Sequence, residues 1–168
     1  MRKIAIVGAG QSGLQLAIGL RKAGYEVVVL SAQTAEQIHA GRVTSSQCMF
    51  HSALEHERDL GINLWDELCP AVEGIEFTIA SQDPEPEQVV RWAARLERPA
   101  MSVDQRVKMP ALLREFASLG GEVRIHEGRL EDLESLAKEC ALVVVAAGKG
   151  PIAIWRSEER RVGKECRS

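Results

Sequence analysis

The stretch Lys3-Ile4-Ala5-Ile6-Val7-Gly8-Ala9-Gly10-Gln11-Ser12-Gly13 decides the fold of this chain. Its first five residues make a short apolar run, and the pattern G-x-G-x-x-G follows directly. A helical period opens at once, with Leu14, Ala17, Ile18 and Arg21 on one face and Leu16 and Leu20 beside it. Gly24 stops this helix, and a second apolar run, Val27-Val28-Val29-Leu30, comes next. Strand, glycine turn, helix and strand in that order form a dinucleotide-binding unit. Gly8 allows the tight turn out of the strand. Gly10 has no side chain, so a pyrophosphate can approach the backbone, and Gly13 lets the helix lie close to the strand. The first-turn N–H groups of Gln11, Ser12 and Gly13 then point toward the phosphates, helped by the positive end of the helix dipole.

Beyond this unit the second strand ends at Leu30-Ser31. Many dinucleotide folds carry an acid here that holds the ribose hydroxyls. Ser31 offers a neutral hydroxyl instead, a weaker anchor, and no basic residue follows it in sequence to favour a 2′-phosphate. Gly41-Arg42 comes soon after. Arg42 can reach a phosphate, stack on adenine or lie on the surface, and spacing alone does not choose among these. Ser46 to Leu60 reads as a helix closed by Gly61. His51 and His56 on it form no metal pair.

The period then changes. Ile75, Phe77 and Ile79 alternate with polar neighbours, and so do Val90, Trp92, Ala94 and Leu96 after the turn residues Gln82-Asp83-Pro84-Glu85-Pro86. This predicts an antiparallel β-hairpin inserted at about 72–98. Trp92 fits a core position or a substrate contact. Val103-Asp104-Gln105-Arg106 opens another helix, with Asp104 as N-cap and Gly120-Gly121 at the end. A strand over Glu122–His126 and a short acidic helix over Glu131–Lys138 follow. Ala141 to Ala146 is wholly apolar, as for a strand in the middle of a parallel sheet. Ala147 and Gly148 after it are small enough to let a ligand pass close. The expected fold is α/β: a Rossmann-like dinucleotide-binding domain over 1–150, a parallel sheet with helices, carrying the hairpin as an insert.

Composition narrows the classes. The 168 residues are 45% apolar and 27% charged, which suits one globular domain or part of a larger enzyme. No apolar run approaches the length of a membrane span, and Met1-Arg2-Lys3 leads into a strand rather than a signal peptide. The expectation is a cytoplasmic protein with no membrane partner. Its four cysteines show no C-x-x-C spacing, and no metal site is expected. Arg156 to Ser168 has no apolar period, and it resembles a translated short-read sequencing adapter over its whole length. The expectation is a non-native tail, with the true C-terminal half of the protein missing. Removing the tail's five basic and three acidic residues from the 21 and 24 of the whole chain leaves a net charge of −5. That balance argues against a nucleic-acid partner.

From Lys3 to about Gly150 the chain resembles the FAD-dependent oxygenase component of two-component styrene and indole monooxygenases. The resemblance rests on the glycine turn, on Gly41-Arg42, on Val103-Asp104-Gln105-Arg106 with Pro110 and Gly120-Gly121 behind it, and on Val143-Val144-Val145-Ala146-Ala147-Gly148-Lys149. Ser31 in place of an acid also fits. The resemblance implies that a separate NADH:flavin reductase supplies reduced FAD as a diffusible co-substrate. It further implies that O2 then epoxidises a small aromatic alkene such as styrene or indole. Carried over, Gly8, Gly10, Gln11, Ser12 and Gly13 hold the pyrophosphate, Arg42 and Arg106 approach the phosphates or the adenosine side, and Ala147 and Gly148 line the second edge. Catalytic residues and the alkene pocket are not assigned, and the fragment itself is expected to be inactive. Other G-x-G-x-x-G oxidoreductases using FAD or NAD(P) (a single-component hydroxylase, a halogenase, an amine oxidase) share such an N-terminus. A non-functional gene fragment is a further alternative. The oligomeric state stays open, a homodimer being one option.

Overall fold

The computed structural model describes residues 2–43, 46–80 and 88–148. The turn Gln82–Pro86, Lys149, Gly150 and the tail Arg156–Ser168 lie outside these. In chain order the elements are β1 (Lys3–Val7), α1 (Gln11–Lys22), β2 (Glu26–Ser31), α2 (Ala35–Ala40), β3 (Ser46–Met49), α3 (His51–Asp59), β4 (Val72–Ala80), β5 (Gln88–Asp104), α4 (Gln105–Ser118), β6 (Glu122–Ile125), α5 (Leu130–Glu139) and β7 (Leu142–Val145). They fall into two compact units, one running up to Val43 and resuming at Gln105, the other lying between those points in sequence.

The first unit is a parallel sheet in the order β6-β2-β1-β7. Ile4 to Val7 and Val27 to Ser31 are buried without a break. Both faces of these central strands are covered, so they read as continuous apolar runs rather than alternating ones. Ala5, Val7, Val28 and Leu30 form one core cluster with Leu136 of α5 and Cys140. The strand period turns Ile4, Ile6, Val27 and Val29 to the opposite face. Helix α1 packs on β1 and β2 and is joined by α4, with Leu14, Ala17, Ile18, Leu112, Leu113 and Phe116 buried. Arg21 belongs to this apolar side because its guanidinium is spent on backbone. It donates to the Leu119 carbonyl at 3.1 and 2.8 Å and to the Tyr25 carbonyl at 2.7 Å, closing the C-terminus of α4.

Two expectations change here. β7 is an edge strand of the described sheet, not a central one, and Leu142 and Val145 are about half exposed. A run of four apolar residues looks the same at an edge as in the middle, because the pattern records covered faces and not neighbours. The helix expected from Val103 begins at Gln105, since Val103 and Asp104 still pair with β3.

The second unit is an antiparallel sheet in the order β3-β5-β4, with α3 beside β5. Ile75, Phe77 and Ile79 stand opposite Ala94, Trp92 and Val90, and the Phe77 and Trp92 rings are 5.8 Å apart. β5 continues past Pro99 to Asp104. The register steps from Gly74↔Arg95 to Val72↔Ala100, so Pro99 lies in an irregularity where no ladder N–H is demanded. The far end of β5 pairs with Ser46–Met49, and this overturns the helix expected from Ser46. Only His51–Asp59 is helical. Long-range pairing outweighs the weak helical preference of those four residues. Gly61 closes α3 with φ +63°, its N–H donating to Arg58 and that of Ile62 to Glu57. This double bond pattern needs a left-handed residue in that place.

A candidate dinucleotide site at the carboxyl edge of the sheet

All four parallel strands end at one edge. The register sets Val7 beside Leu30 and Val145, and Ser31 beside Ile125. The loops after Val7, Ser31, Ile125 and Val145 therefore start side by side, where open α/β sheets bind ligands.

The glycines of the turn differ in what surrounds them. Gly8 has φ +118° and donates its N–H to Leu30 at 2.9 Å. A Cβ on it would stand 2.5 Å from the Ala146 carbonyl oxygen and 3.0 Å from Ala147 Cα. A Cβ on Gly13 would overlap the Gly8 carbonyl oxygen. Gly10 is unlike both. Its backbone is extended at φ −86°, and a Cβ there would meet no protein atom within 4 Å. Neither a strained conformation nor packing against the protein holds a glycine at this position, and the space beside it is open. Gly10 is also the N-cap of α1, with no side-chain cap and no acid in the first turn. The positive end of the helix is thus uncompensated by the helix's own residues and faces that space. Ser12 is exposed beside it, while the Gln11 amide donates to Gln15 at 3.2 Å.

The second edge of the turn is built by the chain after β7. Ala146 donates to Val7 at 2.8 Å, which carries Ala147 against Gly8 and leaves Gly148 at φ +57° with its Cβ position open. Gly8 and Gly13 are therefore packed together with Ala146 and Ala147, and Gly10 and Gly148 stand beside them in the chain with open space at their Cβ positions.

Ser31 stands at the end of β2, but its side chain is turned inward. It is 3% exposed, and its hydroxyl donates to the Gln33 carbonyl at 2.6 Å and receives the Gln33 N–H at 3.4 Å. The residue shapes its own turn before α2. That helix starts at Thr34 with a reciprocal cap, Gln37 N–H to Thr34 and Thr34 N–H to Gln37 Oε1. Arg42 is exposed beyond α2, and Arg106 is half-buried in the first turn of α4. Two histidines near this edge escaped sequence reasoning. His126 donates its backbone N–H to Ser31 at 2.8 Å and sets its ring 3.0 Å from Asp132. His39 Nδ1 lies 3.0 Å from the Arg106 carbonyl oxygen. Nothing local marks either contact, since each joins residues from different elements. Among the described residues no group of three or more His, Cys, Asp or Glu could hold a metal ion, and no helix is long and apolar enough to cross a membrane.

No family model matches the chain. Styrene monooxygenase StyA of Pseudomonas fluorescens is 27% identical over 151 residues, covering 90% of this chain and 35% of that protein. StyA of a Pseudomonas species is 29% identical over 150 residues, covering 88% and 34%. The chain thus spans about a third of the length of the curated relatives it matches. Among solved structures, the flavin-dependent halogenase CmlS matches 73% of this chain and 22% of its own, with a TM-score of 0.56 at 19% identity. The flavin-dependent monooxygenase PieE, solved with FAD and substrate, matches 73% and 23% with a TM-score of 0.53 at 20% identity. Sequence and fold agree: the chain is similar to styrene monooxygenase StyA, and its fold is the Rossmann-like one of these flavin-dependent enzymes.

Proposed function

We propose that this chain is the cofactor-binding part of an FAD-dependent monooxygenase of the StyA kind. In the whole protein, FAD reduced by a separate NADH:flavin reductase is taken up as a diffusible co-substrate, and an aryl alkene such as styrene or indole is epoxidised. The observation that carries this reading is Gly10, a glycine that the protein does not need for itself, at the open N-terminus of α1. Bound FAD supplies the oxygen chemistry. The residues here bind and orient it. Gly10 gives the pyrophosphate room, the N–H groups of the first turn of α1 donate to it, and Gly8 and Gly13 hold the turn in shape. Of the phosphate and adenosine sides left open by the sequence, Arg42 and Arg106 add their positive charge on the phosphate side. Ala147 and Gly148 line the second edge with backbone. Ser31 acts through the turn it closes, and β2 ends without a carboxylate to grip the ribose, which suits a flavin that must leave after each cycle. The 168-residue chain binds the nucleotide without completing the reaction.

Titration of FAD fluorescence with the 168-residue chain tests this. Quenching is expected for the wild type. Gly10→Val is expected to fold with a modest loss of melting temperature, valine being a poorer N-cap than glycine, and to bind at least about 10-fold more weakly, since a clash of only about 1.4 kcal/mol is worth that factor. No binding by the wild type, or unchanged affinity in folded Gly10→Val, overturns the proposal.

A further inference from the structure

Pro110 lies inside α4 and is buried. A proline has no N–H, so it leaves the helix's usual bond to the carbonyl four residues back unmade. That carbonyl belongs to Arg106. His39 Nδ1 stands 3.0 Å from its oxygen. A carbonyl only accepts, so Nδ1 carries the hydrogen and donates it. His39 sits in the last turn of α2, three residues before Arg42. Farther along the same pair of helices, Glu36 and Arg114 meet at 3.3 Å, an exposed contact of small worth. An acceptor opened by proline beneath one arginine is thus taken by a histidine from the helix that leads to the other.

We propose that His39 is a positioning residue for the two phosphate-side arginines. Its bond to the Arg106 carbonyl ties the end of α2, and hence the Gly41-Arg42 arm, to the first turn of α4. This rests on the reading of the site as a place for a dinucleotide. His39 itself touches no ligand. A nucleotide with a pyrophosphate depends on the arrangement of the arginines, whereas adenosine does not.

The test uses the 168-residue chain with ADP and adenosine as probes, followed by NMR titration, with a thermal melt of each variant. His39→Leu is expected to weaken ADP about 2- to 5-fold, the worth of one exposed hydrogen bond, and to leave adenosine unchanged. His39→Asn, whose side-chain amide N–H can occupy the place of Nδ1–H, is expected to recover most of the loss. His39→Ala serves if the leucine variant does not fold. Unchanged ADP affinity, an equal loss for both probes, or no recovery with asparagine overturns the proposal while the nucleotide site stands. A wild-type chain that binds neither ADP nor FAD overturns both.

Discussion

At the carboxyl edge of the parallel sheet, Gly8, Gly10, Ala147 and Gly148 present bare backbone. Toward the opposite end of the same strands, charged side chains interlock. Lys3 Nζ lies 2.8 Å from Glu139 and 3.1 Å from Glu122. Arg124 reaches Glu122 at 2.7 Å and Glu139 at 2.7 and 3.0 Å. Arg124, and after it Lys3, hold the Glu139 carboxyl down to about 2, and Arg124 followed by Lys3 also lowers Glu122. The same carboxylates raise Lys3, Glu139 first. The difference teaches where tolerance lies. Long exposed side chains can re-pair when one is lost, and such pairs contribute little each. A backbone oxygen cannot move aside for a Cβ.

The sharpest way to break the comparison is at the glycine turn. Gly8→Ala combines a Cβ 2.5 Å from the Ala146 oxygen with φ +118°, and Gly13→Ala drives a Cβ into the Gly8 carbonyl. Each is expected to cost about 3 kcal/mol or more, read as a collapse of the thermal melt. A melt near that of the wild type in either variant would erase the distinction between these glycines and Gly10. Ser31→Ala comes next. It removes the hydroxyl bond to Gln33, worth about 1 kcal/mol, so urea unfolding should shift modestly while FAD affinity changes by less than about 3-fold. A larger loss of affinity would give Ser31 a direct place at the ribose. The smallest effect belongs to the charged end. Glu139 and Glu122 both have folded-state values below their ordinary 4.5, so the stability they lend is present above that pH and is lost as pH falls below it, for Glu139 toward about 2. Lys3 is raised, so its share is lost only at pH above its ordinary 10.5. Melting temperature against pH should therefore fall less steeply for Glu139→Gln across the acid window, and high salt should shrink the difference. Identical acid limbs would deny the network any part in stability.

How much of this was legible in the sequence follows the distance over which each feature is written. The strand, glycine turn and helix from Lys3 to Lys22 are specified within themselves, and they stand as read. The alternation of Ile75, Phe77 and Ile79 gave a strand, but its partner's full length did not show. Pro99 looks like a terminus until the irregularity opposite Val72–Gly74 is known. Ser46–Met49 is a strand only because residues 101–104 lie beside it. At the site, Gly8 and Gly10 were placed by motif. The inward turn of Ser31 and the contact of His39 with Arg106 depend on pairs that no local pattern links.

The empty surroundings of Gly10 bear on how glycine motifs should be counted. A search for G-x-G-x-x-G gives equal weight to three positions. In this chain two of them report the sheet's own geometry, and they would persist under selection for folding alone. The middle one, Gly10, is held by no packing of the protein's own, and on the proposed reading it answers to the nucleotide. On that reading, drift at Gly10 with Gly8 and Gly13 kept is the signature expected of a descendant that has lost its nucleotide and retained its shape.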